Sequence, residues 1–71
     1  MMVTSSETRR ILRKLGCVEL RQKGSHLRVR CGICFTTVPI HKGEDVPKGT
    51  VRSIERDLEV CLGSGWLEAN R

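Results

Sequence analysis

The sequence predicts an α+β fold of α-β-β-β-α order, with a three-stranded antiparallel sheet and two helices on one face. Three observations carry that prediction. A stretch with helical apolar spacing opens the chain at residues 4–16. Three short stretches of alternating or β-branched residues follow, separated by glycine-bearing links. A second helical pattern over residues 50–62 comes after a polar loop. One layer of helices over one sheet buries the apolar faces of all five elements together.

The first helix has its start signal in Thr4 and Glu7, three residues apart, which suit a capping box, with Ser5 and Ser6 as competing caps. Thr8, Ile11, Leu12 and Leu15 form its inner face, and Arg9, Arg10, Arg13 and Lys14 its outer face. Gly16 is placed to end it in a left-handed conformation. "CVELRQ" (17–22) alternates, which puts Val18 and Leu20 inside and Glu19 and Arg21 outside. "HLRVRC" (26–31) places Leu27, Val29 and Cys31 inside and His26, Arg28 and Arg30 outside. Lys23-Gly24-Ser25 links these strands tightly, and Gly32-Ile33 is short enough for a second hairpin turn. "CFTTVPIH" (34–41) reads as the third strand, and Pro39 assigns it an edge or a strand end. In the second helix Val51, Ile54, Leu58, Cys61 and Leu62 face inward, and Thr50 or Ser53 is the expected cap. Residues 1–71 are expected to be a single domain, with 63–71 a short C-terminal tail anchored by Trp66. The same element order is that of the double-stranded-RNA-binding domain (dsRBD), so the fold is expected to be dsRBD-like. That likeness of order does not by itself assign a function.

At 71 residues, a chain buries only about 60% of the surface its unfolded form exposes. A site here should be shallow, and its substrate a polymer lying across the surface. The net charge of +5 is uneven. Residues 1–30 hold eight Lys/Arg against two Asp/Glu, and residues 31–71 hold five against six. A basic half raises the expectation of a phosphate-rich partner, although many small proteins are basic for solubility alone. With only Phe35 and Trp66 as aromatics, a multi-base stacking platform is not expected. Recognition through phosphates and 2′-hydroxyls needs no stacking. No apolar run approaches the ~18 residues of a membrane span, and the start lacks the apolar core of a secretory signal. Four cysteines without such a signal are expected to be reduced thiols in the cytoplasm.

Two histidines invite a chemical reading. His26 follows Gly24-Ser25 on the polar face of the second strand. A lone strand histidine is most often simply exposed. Here Lys23 and Arg28 flank it, and that suggests proton transfer on RNA. A 2′-hydroxyl can attack its adjacent phosphorus without a metal. The reaction then needs a group that exchanges a proton near neutral pH, and cations or N–H donors for the charge on phosphate. His41, beside Lys42, is a second candidate acid/base or substrate contact, weighed against an ordinary loop histidine. Ser25 and His26 are not a nucleophile–base pair, because neighbouring strand residues point to opposite faces. Cys31-Gly-Ile-Cys34 has the C-x-x-C form of a zinc half-site. The other ligands, drawn from Cys17, Cys61, His26 and His41, are not clustered, so no metal and no cofactor is expected. Thioredoxin-like chemistry lacks its βαβ context.

"LGCVELRQKGSH", "TVPIHKG" and "KGTVRSIERDL", in this order, resemble the HicA (YcfA-like) mRNA interferase family of type II toxin–antitoxin modules. The resemblance runs from about residue 6 to residue 62. It implies a toxin that cleaves mRNA as a metal-independent endoribonuclease and a HicB-type antitoxin that covers the active face. It places the essential histidine of a Gly-Ser/Thr-His motif on His26, with Gly24 and Ser25 filling the rest of the motif. Lys23 and Arg28, flanked by Arg9, Arg10, Arg13 and Lys14, would then bind RNA. The chain departs from the family pattern at Leu27, where many members carry a second histidine, in the compact "CGIC" hairpin, and in the tail. The alternative is a non-catalytic RNA-binding module of dsRBD type, and a weaker third reading is a zinc-stabilised interaction domain.

Overall fold

A computed structural model describes residues 2–71. Helix α1 (Ser5–Lys14) begins at Thr4, whose Oγ1 accepts the Glu7 N–H at 3.1 Å. It ends as the glycine predicted. Gly16 takes φ 86°, and the Gly16 and Cys17 N–H groups donate to the carbonyls of Arg13 and Leu12, the paired bonds of a Schellman cap. Thr8, Ile11 and Leu12 are buried.

Strands β1 (Val18–Lys23), β2 (His26–Cys31) and β3 (Cys34–Pro39) form one antiparallel sheet in the order β1-β2-β3. Both hairpins have two-residue loops, and Gly24 (φ 60°) and Gly32 (φ 61°) are their first central residues. A positive φ at that position alone is the mark of the type II′ turn, whose twist matches the strands it joins. Strand β2 alternates as expected, with Leu27, Val29 and Cys31 buried.

Strand β1 departs from its predicted faces. The pairing runs Val18 with Arg30, Glu19 with Val29 and then Arg21 with Arg28, so a bulge falls at Leu20. A bulge adds one residue and inverts the alternation on one side of itself. Val18 and Leu20 are therefore exposed, not core, while Glu19 turns toward α1 and meets Arg9 and Arg13. The strand lies at the sheet edge, beyond the helix cover. A salt bridge satisfies its inner side where an apolar contact was expected.

Helix α2 (Lys48–Leu62) starts two residues earlier than the pattern indicated, with Pro47 at the N-cap position and no side-chain cap. Ser53 bonds back to the Gly49 carbonyl instead of capping. Val51, Ile54 and Leu58 pack on the sheet, chiefly over β3. Thr36, buried on β3, donates to Asp57 of α2 at 2.9 Å. The C-terminal segment forms a four-residue helix, α3 (Trp66–Ala69). Trp66 and Leu67 are buried there, and the indole N–H donates to the Glu55 carbonyl at 3.1 Å. The core thus lies between the helices and the inner sheet face. Among the described residues, no helix lies on the other sheet face.

The expectation of reduced thiols is corrected. All four cysteines are paired, Cys17 with Cys31 and Cys34 with Cys61. The β1–β2 register carries Cys17 to the position across from Cys31, and α2 brings Cys61 over the start of β3. The Cα separations of 4.4 and 6.2 Å lie within the span a disulfide bridges. Cys31 and Cys34 do face each other in register, as the hairpin implied, but each bonds to a different partner. The C-x-x-C therefore has no thiolate to offer a zinc ion.

Candidate functional site

Strand alternation builds the site on the open sheet face. Burial of Leu27 and Val29 turns His26, Arg28 and Arg30 outward on β2. On β1, Lys23 lies beside His26 and Arg21 beside Arg28. On β3, Pro39 and Thr37 complete those two rows. Every charged side chain on this face of the three strands is basic or imidazole, because Glu19 is turned away to the helices.

A groove of about 530 Å³ runs over these rows, lined by Arg21, Lys23, Gly24, His26, Arg28 and Thr37. Its walls are fixed locally. The Gln22 side chain donates to the Gly24 carbonyl at 2.9 Å and stiffens the turn. A Cβ on Gly24 would meet nothing within 4 Å, so the glycine serves the positive φ and not a lack of space. The Ile40 N–H donates to the Ser25 carbonyl at 2.6 Å, which ties the β1–β2 turn to the end of β3. Ser25 is half-buried and its side chain is not among the groove-lining groups. Arg28 donates to the Thr37 hydroxyl at 3.1 Å, and this holds its guanidinium over the sheet.

His41 comes close to the same site from the far side. A second groove, about 330 Å³, is lined by both imidazoles together with Thr37, Pro39, Pro47 and Thr50. His26 lies on the boundary of the two grooves. The backbone of His41 is held by Ser5, whose buried hydroxyl accepts the His41 N–H at 3.3 Å and donates to the Pro39 carbonyl at 2.6 Å. A residue of α1 therefore sets the position of a histidine 36 residues later.

The basic residues of α1 are placed differently. Arg9 forms two hydrogen bonds to Glu19, at 2.8 and 2.9 Å, and Arg13 lies 3.7 Å from the same carboxylate. The hydrogen bonds from Arg9 hold the Glu19 carboxyl below the ordinary carboxylate range, and the same contact raises the Arg9 guanidinium. Arg9, Arg10 and Arg13 line a separate shallow surface with Ser6. None of the α1 cations, Lys14 included, lines either histidine groove. Sequence reasoning missed Arg21 and Thr37 as groove residues. Arg21 had the signal of a charged residue alternating with Lys23, and Thr37 had none beyond its place on β3.

The family model described as the HicA toxin of bacterial toxin–antitoxin systems matches residues 5–60, well over half of the chain. The chain belongs to the HicA toxin family. No curated protein and no solved structure gives a significant match. The HicA match takes in α1, the whole sheet and nearly all of α2, and so both histidines and every groove residue. It ends before α3, so the buried Trp66 and Leu67 belong to a segment outside the matched region. Membership of a toxin–antitoxin family implies an antitoxin partner. No helix among the described residues is long and apolar enough to cross a membrane.

Proposed function

We propose that this HicA-family toxin is a metal-independent endoribonuclease that cuts mRNA with His26 as its proton-transfer group. The observation that carries the reading is the shared groove, in which one imidazole stands among Arg21, Lys23 and Arg28 on an open, acid-free face. A strand of RNA can lie along such a face without entering a cavity. A phosphodiester held by Lys23 and Arg28 brings its ribose to His26. The imidazole takes the 2′-hydroxyl proton as the oxygen attacks phosphorus, or gives a proton to the departing 5′-oxygen. Lys23, Arg28 and backbone N–H groups at the Gly24 turn stabilise the charge that builds on the phosphoryl oxygens. His41, on the far side of the second groove, is the group best placed to handle the other proton. Gly24 and Ser25 shape the turn that presents the site. The partner is a HicB-type antitoxin that covers this face and excludes the RNA.

The test follows from the nucleophile. The wild-type protein is expected to cut an mRNA fragment in EDTA, leaving a 2′,3′-cyclic or 3′-phosphate end. A single deoxynucleotide placed 5′ of the mapped cut is expected to abolish that cut. Cleavage that survives the deoxy substitution contradicts the mechanism. A protein that binds the RNA and never cuts it is instead a non-catalytic RNA-binding module.

A further inference from the structure

Of the two aromatic residues, Trp66 is buried in the core, but Phe35 lies on the open sheet face with 43% of its surface exposed. Phe35 pairs with Arg30 in the row beyond Arg28, and the Arg28 guanidinium carbon stands over its ring at 5.3 Å from the centroid. The Arg28 guanidinium lies over part of the ring, the rest of the ring is open to solvent, and Arg30 beside it supplies a positive charge. Arg28 belongs to this surface and also to the His26 groove, so the two are continuous. An exposed ring on a sheet is a surface on which a planar ligand can stack. The basic neighbours select one that carries phosphates.

We propose that Phe35, with Arg28 and Arg30, is a base-stacking subsite that holds one unpaired nucleobase of single-stranded RNA beyond the scissile phosphate. The proposal rests on RNA being the substrate. Four residues along β2 separate His26 from Arg30, which is ~13 Å at strand rise, so the stacked base is not the one at the cut but one further along the strand. Arg30 meets the phosphate attached to it. A single ring gives weak sequence preference, because every base has a π face. It fixes the direction and register in which RNA crosses His26.

The test measures binding of the full chain to a short single-stranded 2′-O-methyl oligoribonucleotide, which lacks the nucleophile and stays intact. Phe35→Leu is expected to weaken binding roughly tenfold while leaving the salt dependence unchanged. Arg30→Gln is expected to make the slope of log affinity against log salt shallower by somewhat under one. Phe35→Trp keeps the stacking surface and is expected to bind at least as well as wild type, with RNA quenching the added indole emission. Equal RNA binding by wild type and Phe35→Leu overturns the subsite, and if the same variant loses its antitoxin, the ring belongs to a protein interface. Failure of the wild type to bind any RNA overturns the subsite and the RNA reading together. Binding of this oligonucleotide together with no cleavage of the unmodified RNA removes only the catalytic reading.

Discussion

His26 is exposed because Leu27 and Val29 are not. Two buried side chains, each 3% exposed or less, fix the pleat and so fix which β2 residues meet solvent. That pleat was legible in the sequence, and so were the cluster of Lys23, His26 and Arg28 and the tight Lys23-Gly24-Ser25 link. Glu19 was not, because its inward turn depends on a bulge at Leu20 that no residue type announces. Its ion pair with Arg9 makes a pH prediction. The Glu19 carboxyl is held low by Arg9, so its contribution to stability is complete above the ordinary carboxylate pKa of about 4.3. The contribution fades as pH falls from there through the depressed value. With both side chains about one-third exposed, the effect is at most about 1 kcal/mol. Denaturant unfolding of Glu19→Gln should therefore fall below wild type at pH 7, by a margin that narrows as pH falls toward about 3. A difference that is the same at both pH values would sink the assignment.

Elements divide into those whose periodicity decides them and those decided by packing. Helix α1 and strand β2 each have an uninterrupted apolar stripe, so pattern alone sufficed. Helix α2 starts at Lys48 and not Thr50 because Pro47 is tolerated at a helix start, where its missing N–H has no role. The short helix α3 has no readable periodicity at four residues. Its place is set by Trp66, 2% exposed, and by the indole bond to Glu55 of α2. Trp66→Ala is expected to cost about 3–5 kcal/mol through lost burial and a cavity, a large part of the total for so small a domain. Thermal unfolding measures it, and a change under 1 kcal/mol would show that the tail is only loosely docked. Because α3 lies outside the HicA match, RNA cleavage by any folded fraction of that variant is expected to persist.

At the scale of the whole molecule, two disulfides close the end of the sheet farthest from His26. Cys17–Cys31 joins β1 to β2, and Cys34–Cys61 joins β3 to α2, across 14 and 27 residues. Sequence spacing showed a C-x-x-C but not its partners, which only the bulged register and the α2 docking bring near. Disulfides persist chiefly in oxidising surroundings, so the thiols no longer argue for a reducing compartment. Chain-entropy arguments assign each about 3–4 kcal/mol, so a reductant is expected to lower the melting temperature by more than ~10 °C. Identical melting with and without reductant would contradict that. The open basic face, by contrast, carries neither bridge, and it is the face proposed to bind RNA and to be covered by the antitoxin. What joins fold to function is the claim that His26 moves the proton there. The direct measurement is single-turnover RNA cleavage in EDTA by wild type and His26→Ala, with circular dichroism to show that both are folded. A rate loss on the order of 10²–10⁴-fold is expected for His26→Ala, with the fold unchanged. Cleavage by folded His26→Ala at the wild-type rate would contradict it.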